Sequence, residues 1–334
     1  MLRFAVIGRN FVVEDFLRAA AQCSGVSLLG VYSRSADTAR EFAGRHGAAR
    51  TYTSIDALAS DPDVDFVYIA SPNACHETQT VSLLRAGKHV LVEKPAAPTL
   101  DGFLRMRSAA LESGCVLMEA MMPSHMPALR TAHAWLDRIA PVRFACFPYC
   151  QYSSRYDKFK NGIVENAFDP TLGNGALMDI GIYCVHCMVS LFGAPQDVQG
   201  QCVFLPQSID GCGAVTARYG DMLCTLRYSK ITDGDLVCEI QGENGRITLD
   251  RASCPRSVTL TLRDGTTEIF RTPDDTADMT FELRDFVRCI EGKTDAEPFL
   301  ADTARALAVT DTVRRQTGID FQKHIEKNMR IDIR

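Results

Sequence analysis

Glu93, Lys94 and Pro95 stand together at the end of a short apolar run, His89-Val90-Leu91-Val92, that begins just after Gly87. A run of that length bounded by glycine and proline reads as a buried strand, so a carboxylate, an ammonium and a rigid turn arrive together at its carboxyl end. Ligands of open parallel sheets sit beyond the carboxyl ends of the strands, which aims Lys94 at whatever the sheet binds. Other strand exits carry polar groups as well. The first turn reads Gly8-Arg9-Asn10-Phe11-Val12-Val13; a full dinucleotide fingerprint would have glycines at 8, 10 and 13, and only the first is present. Asn10 is tolerable because asparagine enters the left-handed region readily, whereas Val13 must loosen the helix-to-strand contact or meet a small neighbour. The second strand ends in Ser33-Arg34-Ser35, where a protein that grips a ribose 2′-hydroxyl places Asp or Glu. A guanidinium flanked by hydroxyls suits a 2′-phosphate instead, through bidentate charge-assisted bonds. Ser71-Pro72-Asn73 with His76 forms a further strand exit, a pinned turn with hydrogen-bonding side chains.

The elements that must position these groups follow from periodicity. Strands are expected over 2–7, 27–32, 64–70, 88–92 and 115–118, and helices over 12–22, 35–46, 54–60, 77–86 and 99–113. Strands alternating with helices imply a parallel sheet covered on both faces. The rhythm changes after about residue 121. A helix over 129–139 precedes strands with polar alternation at 143–151, 199–204, 213–219, 222–229, 236–242, 245–250 and 258–262, several joined by turn pairs such as Glu243-Asn244 and Asp264-Gly265. Two helices, 281–291 and 301–316, finish the chain. The fold class is therefore α/β: a Rossmann-type, doubly wound parallel sheet over 1–121, then an α/β domain with a large, mostly antiparallel open sheet over 122–334.

Composition limits what such a chain does. With 334 residues it is long enough for two domains and a large core. A net charge of −5 argues against nucleic acid as a partner. The apolar start, Met1 to Gly8, is too short for a signal peptide or membrane span and reads as the first strand of a cytoplasmic protein. Thirteen cysteines, an odd number scattered through apolar stretches, suit reduced core thiols better than a disulfide framework. Cys184, His186 and Cys187 lack the fourth ligand of a structural zinc and read as a buried helix face; no metal is expected.

Taken together, the Gly8 turn, Ser33-Arg34-Ser35, Ser71-Pro72-Asn73 with His76, Glu93-Lys94-Pro95 and the later Gly175-Ala176-Leu177-Met178-Asp179-Ile180-Gly181-Ile182-Tyr183 resemble the glucose-fructose oxidoreductase/inositol dehydrogenase (Gfo/Idh/MocA) family. The likeness is nearest the dimeric dihydrodiol dehydrogenase and NADP-dependent xylose dehydrogenase branch and spans nearly the whole chain. It implies a nicotinamide cofactor, NADP by the Arg34 argument with NAD as the alternative, bound by Gly8, Asn10, Phe11, Ser33, Arg34, Ser71, Pro72, Asn73, His76, Glu93 and Lys94. It implies that Lys94 lies beside nicotinamide and substrate ahead of a cis Pro95, and that Asp179 and Tyr183 form the second catalytic motif. A homodimer built through the second sheet is implied too.

Spacing makes physical sense of that motif, because residues four apart share a helix face. A phenol with an ordinary pKa near 10 is a poor acid-base at neutral pH unless an ammonium stabilises its phenolate, and Lys94 is the expected source. Tyr183 then exchanges the proton of the reacting oxygen, Lys94 polarises that oxygen, and Asp179 orients the substrate hydroxyls. Tyr152, Arg155 and His125 are the candidate substrate contacts, and Glu119 a candidate member of the active-site network. In the dihydrodiol and xylose branch an aromatic cluster more often stands where this chain has His125. The expected function is hydride transfer between nicotinamide and a sugar, polyol or cyclic alcohol. The alternatives are a non-catalytic dinucleotide-binding regulator and a redox-assisted, NAD-dependent glycoside hydrolase.

Overall fold

The computed structural model describes residues 1–321, and residues 322–334, the end of the expected second domain, lie outside them. Two units make up the described residues: Met1–Ala120 with Asp274–Ala301, and Met121–Pro273 with Asp302–Phe321.

The first unit alternates strand and helix: β1 (Leu2–Ile7), α1 (Phe11–Ala21), β2 (Val26–Tyr32), α2 (Ala36–His46), β3 (Arg50–Tyr52), α3 (Ile55–Ala59), β4 (Phe66–Ile69), α4 (Asn73–Arg85), β5 (His89–Glu93), α5 (Leu100–Ser113) and β6 (Leu117–Ala120). The sheet runs β3-β2-β1-β4-β5-β6 with every pairing parallel. Strand order reverses between β1 and β4, the place where such sheets open a ligand crevice. All four residues of β4 are buried, as expected of a strand with helices on both faces. Around it Phe4 lies against Phe16 and Phe66, and Phe16 stacks on Tyr68 with ring centroids 3.8 Å apart. Thr99 caps α5 by accepting from the Gly102 N–H, and Ser54 caps α3 through the Asp56 N–H.

The second unit begins with α6 (Met122–His125), α7 (Pro127–Ile139), β7 (Val142–Cys150) and α8 (Tyr156–Lys160). A single π-helical turn, Leu177–Gly181, then runs into α9 (Ile182–Phe192). β8 (Asp197–Phe204), β9 (Asp210–Tyr219), β10 (Met222–Ser229), β11 (Cys238–Gly242), β12 (Gly245–Leu249), β13 (Ser257–Leu262) and β14 (Thr267–Arg271) follow, then α10 (Met279–Ile290) and α11 (Glu297–Thr317). The sheet order is β14-β13-β12-β11-β7-β10-β9-β8, antiparallel except where β7 runs parallel to β10. One face is buried, with Ala145, Phe147, Ala217, Leu226, Ile240, Ile247 and Leu260 at 1% exposure or less. The other alternates outward with Gln199, Thr216, Leu223 and Ile269. β14 was not expected, because its Thr-Glu-Ile-Phe-Arg is an edge strand left mostly exposed and carries little apolar pattern.

α10 differs from the sequence expectation, which put everything after 121 in the second domain. It packs along α1, and Phe286 meets Phe66 edge-on at 5.4 Å, so a late helix completes the first core. Periodicity reports that a helix has an apolar face and not which core receives it. All thirteen cysteines are unpaired. Cys184, His186 and Cys187 sit on the buried face of α9, and no group of three metal ligands occurs among the described residues. No helix among them is long and apolar enough to cross a membrane.

Candidate functional site

At the crevice of the first sheet, Gly8 has φ +117°, and a Cβ there would lie 2.6 Å from the carbonyl oxygen of Ala70 at the end of β4. Only glycine brings the β1–α1 turn this close to the neighbouring strand. Asn10 does not use the left-handed region, as the sequence reading supposed. It is extended (φ −80°, ψ 176°) and caps α1, with Oδ1 accepting from the Val13 N–H at 3.2 Å and Nδ2 donating to Ala70 O at 3.3 Å. Asparagine thus replaces the second fingerprint glycine as a helix cap. Val13, in place of the third, is fully buried. Phe11 opens α1 and is 64% exposed.

Ser33 and Arg34 follow β2. The Ser33 hydroxyl lies 2.8 Å from that of Thr38, whereas Arg34 is exposed and has no ion-pair partner among the described residues. Its charge is felt at Cys75 in α4, where it opposes the upward push that burial gives the thiol. Pro72 and Asn73 start α4, and the Ser71 hydroxyl donates to Gln79 Oε1 at 2.7 Å. His76 departs from its expected place as a cofactor contact. It is fully buried, with Nδ1 2.9 Å from Pro95 O and Nε2 2.8 Å from Ser71 O. Burial pushes the imidazole pKa down, against the pull of those two carbonyls. His76 braces the loop that carries Lys94 and presents no surface to a ligand.

The Lys94-Pro95 peptide is cis, and the loop is held from several sides. Tyr68 OH donates to Glu93 Oε1, the Lys94 N–H donates to Glu93 Oε2 at 3.3 Å, and buried Glu119 accepts from the Ala96 N–H at 2.8 Å. Glu93 keeps part of its surface, yet burial pushes its carboxyl up to about 7, with the Tyr68 hydrogen bond and the Lys94 charge opposing. Glu282 of α10 adds a second acid. It is fully buried, neither carboxylate oxygen has a hydrogen-bond partner among the described residues, and its pKa is raised well above the usual range by burial, then by Glu93 and Asp285.

In the second unit every residue from Gly175 to Val189 is buried except Asp179 and Tyr183. Asp179 lies within the π-helical turn and Tyr183 on the first turn of α9 directly after it; π-turns inside helices frequently mark functional sites. Tyr183 packs edge-on against Tyr149 of β7 with centroids 5.8 Å apart. The turn is anchored by Asp210, whose Oδ2 accepts from the Leu177 N–H at 2.6 Å. Burial lifts the Asp210 pKa to about 6, opposed by that N–H and by the charge of Lys230. Gly175, at φ +152°, passes so near that a Cβ would lie 1.9 Å from Asp210 Oδ1. Lys230, 2% exposed, places Nζ 2.8 Å from Asp179 Oδ2.

Of the expected substrate contacts, His125 is 1% exposed and offers no surface. The Tyr152 hydroxyl donates to Asp157 at 2.7 Å and accepts from Lys160 at 2.8 Å. Arg155 Nε lies 3.5 Å from Glu165 Oε2. Their segment is tied to the Asp179 neighbourhood by the Ser153 N–H, which donates to Lys230 O at 2.9 Å. Sequence reasoning missed Lys230, Asp210 and Glu282. The first two stood in view as charged residues bordering alternating strands, where side chains turn inward as readily as outward.

Comparison with known proteins agrees with this architecture. A profile described as an oxidoreductase family with an NAD-binding Rossmann fold matches residues 2–121, and the GFO/IDH/MocA C-terminal domain profile matches 150–248. Among curated proteins, the scyllo-inositol 2-dehydrogenase (NADP(+)) IolU of Bacillus subtilis is 42% identical, covering 96% of this chain and 98% of its own. A trans-1,2-dihydrobenzene-1,2-diol dehydrogenase of Danio rerio is 28% identical over 96% of this chain and 98% of its own. A 3-ketoreductase from Actinomadura kijaniata, solved with NADP and TDP-benzene, superposes with a TM-score of 0.83 at 24% identity, covering 95% of this chain and 98% of its own.

Proposed function

The chain belongs to the Gfo/Idh/MocA family of NAD(P)-binding oxidoreductases, and from that membership we propose that it moves hydride between NADP(H) and a carbinol carbon of a polyol, sugar or cyclic alcohol. The observation that carries the reading is the selective exposure of Asp179 and Tyr183 in an otherwise buried stretch. A carboxylate and a phenol left partly accessible in an otherwise buried stretch have the chemistry of an acid-base site. The names of the relatives, an inositol dehydrogenase and a dihydrodiol dehydrogenase, point to a vicinal diol.

The residues at the first crevice fit a dinucleotide. Gly8 lets the turn approach the β4 end, Phe11 and the first N–H groups of α1 lie beyond it, and Arg34 has a guanidinium without an ion-pair partner among the described residues for a 2′-phosphate. When bound, the nicotinamide supplies or accepts the hydride. Lys94 polarises the reacting oxygen, Tyr183 gives or takes its proton, and Asp179 accepts hydrogen bonds from the substrate hydroxyls and orients them. Glu93, His76 and Glu119 hold the Lys94 loop in place. Tyr152 and Arg155 are assigned to the substrate side, because the Ser153 N–H between them donates to the carbonyl of Lys230, whose ammonium pairs with Asp179.

NADP⁺ reduction against scyllo-inositol, myo-inositol, D-xylose and a trans-dihydrodiol tests the reading. Turnover of one or more is expected; a cofactor that binds and is never turned over by any of them would favour the regulator instead. Arg34→Asp is expected to weaken NADPH binding about 10- to 100-fold, in line with loss of a charge-assisted pair and gain of a repelling carboxylate. NADH binding should change little. An unaltered NADPH-to-NADH preference in that variant removes Arg34 from cofactor selection.

The outward face of the second sheet, with Val203, Leu223 and Ile269 about half exposed among threonines and glutamines, fits a second copy of the chain. Sedimentation at micromolar concentration should give a mass of two chains, and Leu223→Glu should shift it toward one. A monomeric parent protein would dismiss the dimer. Thirteen unpaired thiols fit a reducing compartment, so the cytoplasm is the proposed location, to be checked by cell fractionation.

A further inference from the structure

Lys230 follows β10 directly and is 2% exposed. A buried ammonium is costly unless it is paired and hydrogen-bonded, so its partners show what it is kept for. Its one ion-pair partner among the described residues is Asp179, at 2.8 Å. The same ammonium donates to the carbonyl of Ala167 and lies 4.5 Å from the ring centroid of Phe168. Its main chain is fixed as well: the N–H donates to Gly211 O and the carbonyl accepts from the Ser153 N–H, each at 2.9 Å. Asp179, by contrast, has 32% of its side chain exposed. An immobile buried cation therefore grips an accessible carboxylate from the inside.

We propose that Lys230 is a positioning residue for substrate recognition, holding Asp179 in one orientation so that its carboxylate orders the hydroxyls of the alcohol. The inference rests on the role given to Asp179 above. The other charged group that senses Lys230 from the elements around it, Asp210, is engaged with the Leu177 N–H and anchors the π-turn. The two acids thus divide the work, one facing the fold and one facing out. Filling space beside Phe168 does not require a charge, since well-packed apolar residues commonly replace buried ion pairs at no loss of stability. What the ammonium adds is control of Asp179.

The experiment compares Lys230→Gln, Asp179→Asn and the double variant in the full chain, with the panel compound of highest kcat/KM, and measures NADPH binding alongside. Lys230→Gln is expected to lower kcat/KM by about 10- to 100-fold, the range of a hydrogen bond to a charged group, with NADPH affinity within about twofold of the parent. In the Asp179→Asn background the same change should cost less than about twofold, because interacting residues are not additive. Lys230→Arg, which keeps the charge, should recover part of the loss. Parental kcat/KM in Lys230→Gln, or the same fold-loss in both backgrounds, overturns the inference. Lys230→Met provides the same comparison if the glutamine variant unfolds; unfolding of both, with Lys230→Arg folded, assigns Lys230 to stability and overturns the inference too. If Asp179→Asn itself leaves kcat/KM unchanged, the role of Asp179 fails; if only Lys230→Gln is silent, the role of Asp179 stands.

Discussion

Tyr183→Phe and Lys94→Met are each expected to lower kcat by about 10²- to 10⁴-fold, the span of general acid-base catalysis, while NADPH still binds. Tyr183→Phe removes one oxygen and keeps the ring that packs edge-on against Tyr149, and a thermal melt beside the rates separates loss of the hydroxyl from loss of the fold. Lys94 sits in a loop whose shape comes from its neighbours: Glu119 holds the Ala96 N–H, and His76 meets the Pro95 carbonyl. An unbranched methionine keeps the length of the side chain and removes its charge. Stopped-flow measurement of the hydride step with the active panel compound checks both variants. Parental rates in either would take that side chain out of the mechanism.

Glu282→Met is expected to raise stability at pH 8 by about 1–3 kcal/mol, the cost of leaving a buried polar group without a partner. The sign follows from linkage. Burial raises the carboxyl pKa of Glu282, and of Glu93 from 4.5 to about 7. Above the unfolded value near 4.5 the unfolded chain has released protons that the folded chain still holds, so these groups take stability away as pH rises toward and through their folded values. Below about pH 4.5 both states are protonated and that penalty vanishes. Methionine matches the length of the side chain and carries no titrating group. Urea unfolding of parent and variant at pH 5 and pH 8 should therefore show a gain that is larger at pH 8. A variant less stable than the parent at pH 8 would mean that the carboxylate contributes to the fold.

Much of the architecture follows from local rules that a chain carries in its order of residues. Period-two and period-3.6 patterns give the elements, and strands alternating with helices give a parallel sheet. Glycine at position 8 marks a turn. Glu93-Lys94-Pro95 declares itself because it sets charge at the carboxyl end of a buried strand, where open parallel sheets bind their ligands. Asp179 and Tyr183 share a helical spacing and stand out by type among apolar neighbours.

Whether a polar side chain faces a ligand or the interior was decided by tertiary packing. His76 and His125 carry the same chemistry as a surface imidazole, yet the fold buries both, the first between two carbonyls. Asn10 serves as a helix cap and not as a left-handed turn residue, because α1 begins one position later and the Ala70 carbonyl is within reach of its amide. Lys230 and Asp210 lie 51 and 31 residues beyond Asp179 in the chain, too far for any local pattern to join them, and the pairing of β9 with β10 brings the first two beside the π-turn. α10 completes the core of a unit whose strands ended about 160 residues earlier. Side-chain type and spacing are local properties of a chain, so the sequence alone determined which elements form and which residues have reactive groups. Burial and pairing depend on what other segments arrive at the same place, and that is why only the tertiary structure separated the groups that brace the site from those that face it.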